Sequence, residues 1–295
     1  METSNFGHSI LSLEKQTEEN YQGIPYDIGW KRLYGGHLIA QSLYANNQHS
    51  QKRGSLNSFH SQFLHVGNCV HNINYTINPL RIGLNSSTSQ IRATQNNRLL
   101  FQITATYGPE TLNEHVHIPQ MPDVPPPEEV PSDREMLLSL RERFSHSKGL
   151  ETFVERRLST DTGLDIRPIL PKNFLDSAKK IPTRLLWFRM RTQCPSEINK
   201  LLLAYTSDFL LVGTALQPHS LSILNPNIKF VSLDHSMWFY DHPPLNQWIL
   251  LYGESEIFSG GRCLVHGKFF SENGKFLAKC TQEGFVNIKT KREKT

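Results

Sequence analysis

One order of elements occurs twice in this chain, and it constrains the fold more tightly than any composition value. The first pass opens on a helical apolar stripe at Leu38, Ile39, Ser42, Leu43 and Ala45, entered through Gly35-Gly36, which allow close backbone approach. Strand-like segments follow at 58–66, 72–80, 86–95 and 99–107, with the alternation carried by Thr88, Ile91, Ala93, Leu99, Phe101, Ile103 and Ala105. Asn96-Asn97 reads as the hairpin turn between the last two. The order then returns: a strand at 184–192, a helix over 197–216, and strands near 228–240, 247–257, 261–271 and 275–288. Local sequences repeat as well. Ser58-Phe-His-Ser-Gln-Phe63 resembles Leu233-Asp-His-Ser-Met-Trp238, with His60 and His235 matched at an offset of 175. Asn97-Arg98-Leu99 matches Gly274-Lys275-Phe276 at an offset of 177. A near-constant offset predicts a duplicated helix-plus-antiparallel-sheet unit and an α+β class. Chance similarity between amphipathic strands is the competing reading.

The two passes are separated by a different kind of sequence. Pro122, Pro125, Pro126, Pro127 and Pro131 cannot sit inside regular elements, so the chain divides into a unit at 1–108, a Pro-rich linker at 109–182 and a second unit at 183–295. Within the linker, 133–144 reads as a short amphipathic helix with Met136, Leu137, Leu140 and Phe144 on one side. A content of 38% hydrophobic and 20% charged residues fits a folded chain. The net charge of +4, with scattered basic residues and a basic tail at 289–295, gives no case for a nucleic-acid partner. No Cys-x-x-Cys pair occurs among Cys69, Cys194, Cys263 and Cys280, which argues against structural zinc. No apolar run reaches the ~18 residues of a membrane span, so membrane insertion is not expected. A reducing, intracellular home is the simplest reading.

The second helix carries the sharpest anomaly. Leu201-Leu-Leu-Ala-Tyr-Thr-Ser-Asp-Phe-Leu-Leu-Val-Gly-Thr-Ala-Leu216 is apolar almost all round, yet Asp208 sits in its middle. A buried carboxylate needs partners or a task. Asp208 is therefore a base lining a pocket, a cap on a helix break at Ser207-Asp208, or a group facing a solvent groove. Partners must come from strands crossing the helix. Val231-Ser-Leu-Asp-His-Ser-Met-Trp-Phe239 is the richest, and alternation puts Ser232, Asp234, Ser236 and Trp238 on one face and Leu233, His235, Met237 and Phe239 on the other. Asp234 and His235 then point apart and do not form a working pair; a structural, hydrogen-bonded His235 is the simpler reading. Gln282 and Glu283, in an otherwise strand-like stretch, are either an exposed edge pair or part of the same centre. Spacing alone marks these positions without bringing them together.

At these residues the chain resembles the acyl-CoA thioesterase II (TesB-like) family, and most closely its peroxisomal branch. The resemblance runs from about residue 25 to 288 through Tyr34-Gly-Gly-His37, Ser58-Phe-His60, Ala204-Tyr-Thr-Ser-Asp-Phe209, Gly213-Thr-Ala-Leu-Gln-Pro-His219, Ser232-Leu-Asp-His-Ser-Met-Trp-Phe239, Gly260-Gly-Arg262 and Gln282-Glu-Gly284. It implies a double hot-dog fold, each half wrapping an antiparallel sheet around a long helix. It implies hydrolysis of fatty acyl-CoA to free fatty acid and CoA, with no cofactor and no metal, by a homo-oligomer. The family's acid, hydroxyl and amide fall on Asp208, Ser232 and Gln282. The family's usual Gly-Gly-Gln is Gly35-Gly36-His37 here, which bears on substrate preference. Backbone N–H groups at that helix start are candidates to polarise the thioester carbonyl, and Arg262 is a candidate for the CoA phosphates. The branch points to peroxisomes, although Glu293-Lys294-Thr295 is not a Ser-Lys-Leu address; a cytoplasmic home is the other expectation. Two further functions compete. A non-catalytic acyl-CoA binder is one. The other is a hot-dog enoyl-CoA hydratase, whose helix resembles Asp followed five residues later by His; that position is Gly213 here.

Overall fold

The computed structural model describes residues 6–29, 32–110, 117–143, 148–169, 181–209, 211–219 and 228–288. The basic tail at 289–295 and Phe144 of the expected linker helix lie outside them. The first half contains α1 (Phe6–Ile10), β1 (Leu13–Lys15), β2 (Asn20–Gly23), α2 (Gly35–Asn47), β3 (Ser55–Phe63), β4 (Ile73–Ile82), β5 (Ser87–Gln95) and β6 (Arg98–Gly108). Helices α3 (Asp133–Arg143) and α4 (Lys148–Ser159) follow. The second half contains β7 (Leu164–Ile169), β8 (Thr183–Met190), α5 (Asn199–Ser207), a 3-10 stretch (Val212–His219), β9 (Ile228–Ser232), β10 (Asp234–Phe239), β11 (Ile249–Ser259), β12 (Arg262–Ser271) and β13 (Phe276–Ile288).

Among the described residues all strand pairs are antiparallel and join into one 13-stranded sheet, ordered β1-β2-β4-β5-β6-β3-β10-β13-β12-β11-β8-β7, with β9 alongside β13. Outward from the β3–β10 seam the two halves read identically: β3, β6, β5, β4, β2, β1 on one side and β10, β13, β12, β11, β8, β7 on the other. Each half lays its helix, α2 or α5, between its second and third strands in chain order. This is the double hot-dog, two antiparallel units abutted in one continuous β-surface. The repeat begins earlier in each half than periodicity indicates, since β1 and β2 lie in the weakly patterned opening and β7 lies within 109–182.

Local chemistry accounts for the turns. Asn96 and Asn97 have φ of 48° and 61°, the left-handed pair of a two-residue hairpin that Asn tolerates well. The Pro-rich segment packs on the outside of the second half. Trp187 Nε1 donates to the Pro125 carbonyl at 2.9 Å, and Val130 joins Trp187, Trp248, Leu250, Phe270 and Phe276 in a small outer cluster. The main core lies on the other face, around α2 and α5.

A one-residue bulge in each half decides which side chains enter that core. In β3, Leu56 pairs with Tyr107 and Ser58 with Thr106, leaving Asn57 extra. In the β9–β10 line, Ser232 pairs with Gly284 and Ser236 with Thr281, four steps against three, and the extra residue falls at the break at Leu233. Matching the two bulges gives an offset of 176 (233 − 57), not the 175 that aligns the histidines. His60 is in fact exposed on the outer face and His235 is buried on the inner one. The counterpart of His235 is Phe59. A slip of one residue moves every side chain to the opposite face, so the two halves are duplicated but their histidines are not equivalent.

The helices meet at glycine. Tyr34 Oη donates to the Tyr205 carbonyl at 2.7 Å, and a Cβ at Gly36 would collide with that same carbonyl oxygen. Gly36→Ala therefore forces α2 and α5 apart. It should cost about 1–3 kcal/mol of stability, measured by urea unfolding.

Candidate active site

The helix expected over 197–216 is broken. Helix α5 ends at Ser207, Asp208 is its C-cap with φ −79° and ψ −9°, and the chain resumes as a 3-10 stretch at Val212. The cap and the candidate base are the same residue. Ending the helix here turns the carboxylate toward the start of α2 and the inner face of β9 and β13.

Three neutral donors converge on it. The Gly36 backbone N–H donates to Oδ2 at 2.9 Å. Gln282 Nε2 donates to Oδ1 by a short hydrogen bond, and Ser232 Oγ donates to Oδ1 at 3.5 Å. Gln282 Nε2 also donates to Ser232 Oγ at 2.8 Å. Because the carboxylate can only accept, the Gln282 amide is oriented nitrogen-inward. Its Oε1 has no hydrogen-bond partner among the described residues, although Gln282 is fully buried. Asp208 and Ser232 keep some accessible surface. Protein crowds Asp208 closely enough that desolvation raises its pKa to about 7, against the lowering effect of Gln282, Gly36 and Ser232.

The bulge at Leu233 explains how Ser232 arrives. Leu233 N–H donates to the Glu283 carbonyl at 2.8 Å, while the Glu283 N–H turns to Asp234 Oδ1 at 2.8 Å. Uninterrupted alternation put Ser232 and Asp234 on one face. The bulge separates them: Ser232 points in to Asp208, Asp234 faces outward, and His235 is fully buried on the inner face. Glu283 is held on the outer side by Arg262 Nε at 2.7 Å. Arg262 is exposed, with this carboxylate as its partner.

The start of α2 also differs from expectation. The Gly36 N–H is bonded to Asp208, and the His37 and Leu38 N–H groups donate to the Tyr34 carbonyl at 3.1 and 3.3 Å. The Gly36 amide holds the acid and the other two close the first turn of the helix, so none of the three stands free for a carbonyl oxygen. A Cβ at Gly35 would lie 2.6 Å from Asp208 Oδ2 and 2.7 Å from Phe63, so only glycine permits this approach. His37 itself is buried, and desolvation lowers its pKa to about 4, leaving it neutral.

The matching positions of the first half are apolar. The bulge offset pairs Ser232 with Leu56, and the strand pairing places Ala105 opposite Phe59 where the second half places Gln282 beside His235. Only one half carries the hydroxyl and the amide. A shallow polar groove of about 270 Å³ at the seam, lined by His60, Gln62, Thr104, Asp234 and Ser236 among others, lies on the outer face and contains none of the three site residues. Among the described residues no group of three His, Cys, Asp or Glu is arranged to hold a metal ion.

Residues 25–108 match the family described as acyl-CoA thioesterase N-terminal domain, and residues 171–285 match the family described as acyl-CoA thioesterase. Acyl-CoA thioesterase 2 of Haemophilus influenzae is 31% identical over 95% of this chain and 96% of its own. The chain belongs to the acyl-CoA thioesterase family. Human acyl-coenzyme A thioesterase 8 is 30% identical over 95% of this thioesterase and 88% of its own length. The crystal structure of an acyl-CoA thioesterase II, TesB2, from Mycobacterium marinum superposes with a TM-score of 0.76 at 26% identity, covering 96% of this chain and 99% of that one. The dehydratase domain of RzxB from Pseudomonas fluorescens shares the fold alone, at a TM-score of 0.52 and 11% identity.

Proposed function

We propose that this thioesterase hydrolyses fatty acyl-CoA to free fatty acid and CoA with Asp208 as the base, and with Ser232 and Gln282 orienting the attacking water. The observation that carries the reading is the convergence of a helix start, a bulged strand and a neighbouring strand on one crowded carboxylate whose three donors are all neutral. With three donors in place the carboxylate retains a lone pair for a water proton. Ser232 Oγ, held by the Gln282 amide and keeping some accessible surface, has a second lone pair to accept the other water hydrogen. Attack of the water oxygen on the thioester carbonyl passes one proton to Asp208. Collapse of the tetrahedral intermediate breaks the C–S bond, and the CoA thiolate takes up that proton.

Purified protein should release free thiol from palmitoyl-CoA, and should not hydrate an enoyl-CoA. Binding without thiol release would instead support the non-catalytic reading. Ser232→Ala should cost about 3- to 10-fold in kcat, the value of one neutral hydrogen bond, and Ser232→Thr should keep most activity. A covalent acyl group trapped on Ser232 would reassign it as a nucleophile.

The proposed compartment is the peroxisome. It is supported by the peroxisomal branch resemblance and by 25% identity to peroxisomal acyl-coenzyme A thioester hydrolase 1 of Saccharomyces cerevisiae, over 90% of this chain and 89% of that one. A fluorescent fusion imaged against a peroxisomal marker tests it. Association into a homo-oligomer belongs to the same reading, and light scattering on the purified chain tests it. Among the described residues no helix is long and apolar enough to cross a membrane.

A further inference from the structure

Two adjacent residues at the end of α5 are gripped by one strand line. Asp208 takes a hydrogen bond from Ser232, and Ser207 Oγ lies 2.8 Å from His235 Nε2. Ser232 and His235 are three residues apart, so in an unbroken strand they would face opposite sides of the sheet. The bulge at Leu233 turns both inward, and that is what allows one strand line to hold both residues.

The protonation pattern of the second grip follows from its partners. Ser207 Oγ donates its single hydrogen to the Ala204 carbonyl at 2.8 Å, so it accepts from the histidine. His235 is therefore the neutral tautomer with hydrogen on Nε2. Its Nδ1 is buried with no hydrogen-bond partner among the described residues, and its ring lies 5.8 Å from that of Phe59. Ser207 and His235 are both fully buried. The role of this pair is not contact with substrate. It pins the last turn of α5, through Ser207, to the strand that also delivers Ser232.

We propose that His235, acting through Ser207, is a positioning residue that fixes the end of α5 so that Asp208 stays within reach of Ser232 and Gln282. The inference rests on the reading of Asp208 as the base. Helix α5 ends at Ser207 and no regular hydrogen-bond ladder continues through Asp208. Without the histidine grip the cap is restrained mainly by its own side-chain contacts, and the carboxylate can turn away from its donors.

The test compares Ser207→Ala, His235→Leu and His235→Gln with Asp208→Asn and the unmodified chain, by palmitoyl-CoA hydrolysis from pH 5 to 9. Ser207→Ala and His235→Leu are expected to lose about 10-fold in kcat with KM within 2-fold. The pH midpoint of kcat/KM should move up, since the neutral donors that lower the Asp208 pKa are no longer held against it. His235→Gln, which restores an N–H donor at similar reach, should recover most of the loss. Folding is checked by circular dichroism, and Ser207→Ala serves if the leucine variant does not fold. An inactive Asp208→Asn beside a folded Ser207→Ala with unmodified kcat and pH midpoint overturns the positioning role. So does a glutamine variant no better than leucine. An active Asp208→Asn overturns the underlying reading of the base instead.

Discussion

Asp208→Asn is expected to fold and to lose about 10²- to 10⁴-fold in kcat, the range for removing a positioned general base. The substitution keeps size and shape and removes charge and basicity. Its local cost is readable from the site. Every group around the carboxylate is a donor: Gly36 N–H on Oδ2, and Gln282 Nε2 and Ser232 Oγ on Oδ1. The asparagine can turn its carbonyl oxygen to only one of these sides, so its own amide meets a donor on the other. The Ser232 hydroxyl can rotate away, whereas the Gly36 N–H cannot. The favoured arrangement therefore leaves the carbonyl oxygen on the Gly36 side and the amide toward Ser232 and Gln282, with the Gln282 amide turned over so that its Oε1 accepts. The fold survives that exchange while no group remains to take the water proton. The check is kcat from thiol release on protein with unchanged circular dichroism. Turnover near that of the unmodified chain would remove Asp208 from the role of base.

The parts of this architecture that were legible in the sequence, and those that were not, separate along physical lines. The helix–strand–strand order and the turn at Asn96-Asn97 are local patterns, and they stand. A lone carboxylate in Leu201–Leu216 is conspicuous because burial penalises charge, so Asp208 stands out whatever its task. The helix break beside it is hidden, because Phe209, Leu211 and Val212 keep the segment apolar while the backbone changes from α to 3-10. The bulge at Leu233 is equally hidden: an extra residue in one strand is defined only against its partner, β13, which lies some 45 residues on in sequence. That concealed bulge produced the placing of Ser232 with Asp234, whereas the pairing of His60 with His235 came from a local sequence match one residue out of the structural offset. Strands β1 and β2, Leu13–Lys15 and Asn20–Gly23, are too short and too polar to show a period, and they exist because β4 offers them an edge. The Gly36 N–H donor to Asp208 leaves no mark beyond a glycine, since a backbone donor has no residue identity.

The same proton that sets the reaction should also set stability, and in the opposite direction. Burial raises Asp208 from an ordinary value of 3.8 to about 7 in the folded chain. A raised pKa means that the folded state binds this proton more tightly than the unfolded state. The contribution to stability is then fully present below pH ~4 and is lost as pH rises through ~7. Its size is on the order of 4 kcal/mol at most, from about three pKa units at 1.36 kcal/mol each. His37 and His235 work against it on the acid side. Both are held neutral by burial, near 4 and 3, so their contribution is present above pH ~6.5 and lost as pH falls toward those values. The total stability curve therefore mixes opposing groups, and the informative quantity is a difference. Urea unfolding of the unmodified chain and of Asp208→Asn, run in parallel from pH 4 to 9, cancels the histidines. The stability of the unmodified chain minus that of the variant should fall steadily through pH ~7, so that above it the asparagine protein gains relative stability while lacking activity. Over the same range kcat/KM of the unmodified chain should climb about tenfold per pH unit below ~7 and level off above it, because only the ionised carboxylate accepts the water proton. The pH at which the stability difference levels off and the pH at which kcat/KM levels off belong to one group and must coincide near 7. A flat stability difference, or an activity midpoint near 4, would mean that Asp208 is ionised throughout and that its crowded setting does not tune the base.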